Sequence, residues 1–61
     1  MPYINVKVAG SLDKGQKEEI AKGMCEVLER VAKKKKESIY IVFDEVDRED
    51  WAVGDRLLKE K

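Results

Sequence analysis

The sequence has no histidine, one cysteine, one proline and one tryptophan, and no net charge, with 13 basic residues balanced by 13 acidic ones. Each scarcity removes a class of explanation. Without histidine, neither a Ser/His/Asp nor a Cys/His catalytic constellation can be built, and a conventional zinc site is out of reach, so no metal is expected. A single cysteine closes no internal disulfide and suits a reducing, cytoplasmic setting. Balanced charge lacks the basic excess of a nucleic-acid binder. No apolar run approaches the roughly 18–20 residues that span a bilayer, and no signal-peptide core is present, so no membrane partner is expected. The stretch Gly10 to Gly15 lacks the Gly-Lys-Ser/Thr ending of a phosphate loop. The carboxylates of Asp44, Glu45, Asp47, Glu49 and Asp50 match no calcium-loop spacing and read as a solvated acidic stretch.

Size is the next constraint. A chain of 61 residues is one domain at most, taken here as residues 1–61. A domain of this length buries only about 60% of its unfolded surface. Ordering each residue costs roughly 1.5 kcal/mol, which apolar burial at this size does little more than offset. With disulfides and metals set aside, oligomerisation is the remaining remedy, and the chain is expected to be a subunit of an assembly.

What is present has clear periodicity. Ile4, Val6 and Val8 alternate with Tyr3, Asn5 and Lys7, the period-two pattern of a strand, which Gly10-Ser11 ends. Asp13 then stands as a helix N-cap, with Gln16 three residues on to close a capping box. Ile20, Met24, Val27, Leu28 and Val31 form one helical stripe, widened by Ala21, Cys25 and Ala32. Cys25 is read as a small hydrophobe rather than a reactive thiol. Glu18 to Lys22 and Glu26 to Arg30 are i,i+4 pairs in the favourable order on the opposite face. Gly23 is a weak point that permits close approach of a neighbour. The run Lys33 to Lys36 suits a helix C-terminus, where cations meet the negative end of the dipole. A second strand follows over Ile39 to Val46. Tyr40 and Val42 lie on the face that a single helix cannot cover, which is the first sign of a covering subunit. Trp51 to Val53 reads as a short extended or hairpin segment, Gly54-Asp55 as a turn, and Arg56 to Lys59 as a brief helical turn.

These elements predict an α+β fold. A β-α-β subunit places two parallel strands side by side around one long helix, with a short C-terminal hairpin segment and the sheets completed by oligomerisation.

One chemical feature survives the exclusions. Pro2 directly follows Met1, and removal of the initiator residue would leave a secondary amine at the head of a strand. In a chain without histidine the α-amine has the lowest reference pKa of the basic groups, and desolvation would lower it further. A neutral amine near pH 7 serves as a general base or nucleophile.

Met1-Pro2 before an alternating strand, the Gly/Ser/Asp loop into Gln16-Lys17, the segment Ser38-Ile39-Tyr40-Ile41-Val42-Phe43-Asp44-Glu45-Val46, and then Asp50-Trp51-Ala52-Val53-Gly54 together resemble the 4-oxalocrotonate tautomerase family. The similarity runs through essentially the whole chain. It implies a cofactor-free isomerase that assembles as a homohexamer. Its amino-terminal proline, here Pro2, would move a proton between an enol oxygen and a carbon conjugated to a carbonyl. The implied substrate is an enolic 2-oxo acid such as 2-hydroxymuconate, in the breakdown of aromatic compounds. Trp51 falls at the family's pocket aromatic, and Ala9 and Val53 fall at apolar positions near the pocket. The two arginines that bind substrate carboxylates in well-known members are replaced, the loop arginine by Leu12, or by Ser11 if the loop shifts by one, and the strand arginine by Tyr40. A tyrosine offers one neutral hydrogen bond in place of a charged bidentate contact. The substrate is therefore expected to be less anionic or more aromatic than a dicarboxylate. The alternative reading is a binding module of the same fold with little or no turnover.

Overall fold

Alternating β-branched residues set the two long strands. In the computed structural model, which describes residues 1–59, β1 runs over Tyr3–Ala9 and β2 over Tyr40–Val46. They pair in parallel and in strict register, from Tyr3 opposite Tyr40 to Ala9 opposite Val46. The connection between them is α1, Lys14–Ala32, the crossover that parallel neighbours require.

Both ends of α1 are explained by their residues. The Asp13 carboxylate accepts the Gln16 backbone N–H at 2.8 Å, and the Gln16 side-chain oxygen accepts the Asp13 N–H at 3.0 Å, so the expected capping box is complete. The helix ends at Lys33, whose φ of 59° is left-handed. The N–H groups of Lys33 and Lys34 turn back to the Leu28 carbonyl, and the Lys33 ammonium donates to the carbonyl of Arg30 at 3.2 Å. Glycine usually holds such a position. A 3-10 turn at Lys36–Ser38 then leads into β2.

Past β2, a second 3-10 turn at Arg48–Asp50 leads to β3, Ala52–Val53, which pairs antiparallel with β4, Arg56–Leu57. The helical turn expected over Arg56 to Lys59 is therefore corrected. Gly54, with a φ of 66°, opens a two-residue loop of the kind that matches strand twist. The returning chain finds ready partners: Leu57 opposes Ala52, and the Leu58 N–H bonds the Trp51 carbonyl at 2.9 Å. A lone helical turn would have one hydrogen bond to set against its nucleation cost.

Packing is thin throughout. The sheet face bearing Ile4, Val6, Val8, Ile41 and Phe43 is half-buried, as are Ile20 and Leu28 on the helix. Cys25, expected to be buried, is likewise only half-buried, and among the described residues no side chain is fully buried. Met24, Val27 and Val31 of the helical stripe are exposed, and so are Tyr3, Tyr40 and Val42 on the opposite sheet face. The accessible surface is 4994 Å², against about 4000 Å² for a compact monomer of this mass. The radius of gyration is 14.6 Å, where about 10.5 Å is usual for 61 residues. One chain thus leaves apolar surface uncovered on both of its layers.

Candidate active site

The sheet separates the residues singled out in the sequence into two groups. Pro2 is half-buried immediately before β1, and its carbonyl accepts the Tyr40 N–H at 2.9 Å. Pro2 and Tyr40 therefore stand together at the head of the sheet. The Tyr3 and Tyr40 rings project from neighbouring register positions on the outer face, 63% and 54% exposed. The backbone supplies this pairing, because the strand after α1 begins its ladder on the carbonyl of the only proline.

Ala9 and Leu12, both half-buried, lie at the other end. The ladder runs over seven paired positions from Tyr3 to Ala9 inclusive, a distance of about 20 Å along a strand. Trp51 also belongs to that far end. Its N–H bonds the Arg48 carbonyl at 3.3 Å, and the Arg48 side chain lies over Gly10, its Nε 3.9 Å from where a β-carbon on that glycine would be. Trp51 is half-buried, while Val53 is exposed on the hairpin. Within one chain, then, Pro2 and Tyr40 are brought together at one end of the sheet, and Ala9, Leu12 and Trp51 lie toward the other.

The loop between β1 and α1 is firmly held. Gly10, with a φ of 104°, donates to the Val46 carbonyl at 2.8 Å. The Leu12 N–H donates to the Glu45 carboxylate at 2.9 Å, and the Lys17 ammonium reaches the same oxygen at 3.0 Å. The Leu12 hydrogen bond, with that of Lys17, holds the Glu45 carboxyl below the usual carboxylate range. In the sequence Glu45 stands within the acidic stretch. Its cationic partner lies 28 positions away, so no local spacing announces the contact. On the outer sheet face Lys7 pairs with Asp44 at 2.5 Å, across one rung of the ladder.

A concave surface lies elsewhere. A groove of about 340 Å³ between α1 and the turn after it is lined by Ala21, Lys22, Cys25, Glu26, Glu29 and Lys36. It is open and contains none of the residues implicated in proton transfer. Among the described residues, no group of three or more His, Cys, Asp or Glu side chains is placed to hold a metal ion. No helix among them is long and apolar enough to cross a membrane.

A parallel β-α-β unit with a proline heading its first strand and a C-terminal hairpin defines a recognisable class, and comparison with known proteins agrees. The model of the tautomerase enzyme family matches residues 2–61. A probable tautomerase of Helicobacter pylori is 33% identical over 57 residues, covering 88% of this chain and 84% of that protein. The crystal structure of DmpI from Helicobacter pylori superposes with a TM-score of 0.84 at 28% identity, over 93% of this chain and 90% of that one. A 4-oxalocrotonate tautomerase homologue shares the fold with a TM-score of 0.90 at 24% identity, over 100% and 97% of the two chains. The chain belongs to the tautomerase family.

Proposed function

We propose that the protein is a cofactor-free tautomerase that catalyses a 1,3-proton shift on an enolic 2-oxo acid, with the amine of Pro2 as general base once Met1 is removed. The observation that supports it most directly is the placement of Pro2, half-buried at the head of β1 and tied to Tyr40, in a chain of the tautomerase family. The Pro2 amine takes the proton from the enol hydroxyl. The resulting dienolate is reprotonated by the same group at the conjugated carbon, and the electron pair moves to form the carbonyl. Trp51, Ala9 and Val53 supply apolar walls that exclude water and favour the neutral amine.

Because Pro2 and Leu12 lie at opposite ends of a seven-residue strand, a pocket using both is made between copies. The uncovered apolar faces fit the same reading. We therefore propose a homo-oligomer, a homohexamer by resemblance, working in the cytoplasm. A related 4-oxalocrotonate tautomerase from Chloroflexus aurantiacus is a heterohexamer. With Leu12 and Tyr40 at the arginine positions, the preferred substrate carries less negative charge than 2-hydroxymuconate.

Steady-state assay of a 2-hydroxydienoate, with Pro2→Ala beside the wild type, tests the proposal. A loss of several decades in kcat/KM is expected, and equal rates would remove Pro2 from the mechanism. Intact mass must show Met1 absent, since an amide nitrogen has no basicity. The second reading, a binding module without turnover, is favoured by the same Leu12 and Tyr40. It requires an amine that titrates at its ordinary value, which NMR of the labelled terminus measures.

A further inference from the structure

We propose that Glu45 is the positioning residue of the β1–α1 loop, fixing Leu12 as an apolar wall of the site and withholding Lys17 from the substrate. This rests on the tautomerase reading, which gives the loop its role. The geometry is specific. Four residues, 10–13, join β1 to α1. Gly10 is anchored on Val46 and Asp13 on its capping partner Gln16. Between these fixed ends, the Leu12 N–H is held by the Glu45 carboxylate. The strand thus reaches across to the centre of the loop, where the chain is otherwise free to move.

The same carboxylate oxygen engages Lys17. Lys17 stands in the first turn of α1, where an ammonium could otherwise turn toward an anionic ligand at the loop. Held by Glu45, it points its charge back at the strand. The loop therefore presents the half-buried Leu12 side chain and withholds the neighbouring cation. A substrate group that is apolar where it meets the loop is accepted there, and a second carboxylate is disfavoured. Glu45 acts through Leu12 and Lys17, without touching the reacting atoms.

The test compares Glu45→Ala, Glu45→Gln and Lys17→Ala in the assembled enzyme, with a one-carboxylate 2-hydroxydienoate and with 2-hydroxymuconate. Glu45→Ala should raise KM for the one-carboxylate substrate by roughly three- to tenfold, the size of one net hydrogen bond. Because Lys17 is freed, it should also shift the selectivity ratio toward the dicarboxylate. Glu45→Gln keeps an acceptor for Leu12 and should restore most of the KM while retaining the selectivity shift. Lys17→Ala should produce no such shift. Amide exchange at Leu12, which needs no substrate, should quicken in Glu45→Ala and recover in Glu45→Gln. Unchanged KM values with unchanged Leu12 exchange would overturn the proposal, as would a lower melting temperature with selectivity intact. If Pro2→Ala is fully active, the tautomerase reading fails on its own, and the Leu12 exchange still judges the clamp.

Discussion

The backbone N–H of Tyr40 donates to the carbonyl of Pro2 at 2.9 Å, so the residue of the proposed base and the residue at the strand-arginine position are joined across the head of one sheet. That bond fixes the backbone of residue 40 beside Pro2, so a side chain introduced there starts from the head of the same sheet. Tyr40→Arg should therefore recover a charge-assisted contact worth roughly 1.5 to 3 kcal/mol. Steady-state kinetics should show kcat/KM for 2-hydroxymuconate rising by about one to two decades. The gain should be much smaller for a substrate with one carboxylate.

Stability at the helix terminus depends on Lys33. Its left-handed conformation costs an L-residue roughly 1–2 kcal/mol, of which the ammonium contact to Arg30 returns a part. Lys33→Gly should stabilise the protein by about 0.5–1 kcal/mol after the entropy of the unfolded glycine is counted. Urea denaturation at fixed protein concentration measures it.

Gly23 sits in mid-helix, and an added β-carbon there meets nothing within 4 Å in its own chain. Gly23→Ala should gain about 0.5–1 kcal/mol of helix propensity. A loss of stability in the assembled protein, read by the same denaturation, would instead place a neighbouring copy against this face.

The Glu45 clamp carries a pH signature. Its carboxyl is held below the ordinary value by the Leu12 hydrogen bond and by Lys17. A depressed folded-state pKa means a contribution that is fully present above the unfolded value and lost as pH falls through the folded one. The melting-temperature difference between wild type and Glu45→Gln should be constant near neutrality and shrink on acidification below the ordinary glutamate range. A difference that grows in acid would contradict the assignment.

On the outer sheet face, Val42 is 45% exposed beside Tyr40 and Tyr3. Val42→Asp should disperse the proposed assembly to smaller species in native mass spectrometry, because a carboxylate buried without a partner is strongly disfavoured. An unchanged mass would put the interface elsewhere.

The long elements could be read from the residues because their causes are local. Alternation from Tyr3 to Val8 and from Ile39 to Val46, and the Asp13–Gln16 box, each contain the full instruction within a few positions. The hairpin was visible as Trp51 to Val53 and Gly54-Asp55, but its second strand was not. Arg56-Leu57 has no strand pattern of its own and becomes one through the partner that the turn brings to it. Pro2 and Tyr40 were both singled out, yet their contact comes from register, which two separate periodicities do not fix. Glu45 was harder still, because its role comes from Leu12 and Lys17, distant in the chain and joined by the crossover. The division of the site residues between the two ends of the sheet likewise follows from the parallel pairing.

The absence of any fully enclosed side chain among the described residues bears on how an assembled enzyme would respond to dilution. A subunit without an interior of its own has little to hold it folded once its neighbours leave, so dissociation and unfolding merge into one event governed by mass action. Specific activity should then fall below a threshold concentration and return on reconcentration. The denaturation midpoint should climb with the logarithm of protein concentration. Supply of the chain, as much as chemistry at Pro2, would then set how much working catalyst exists.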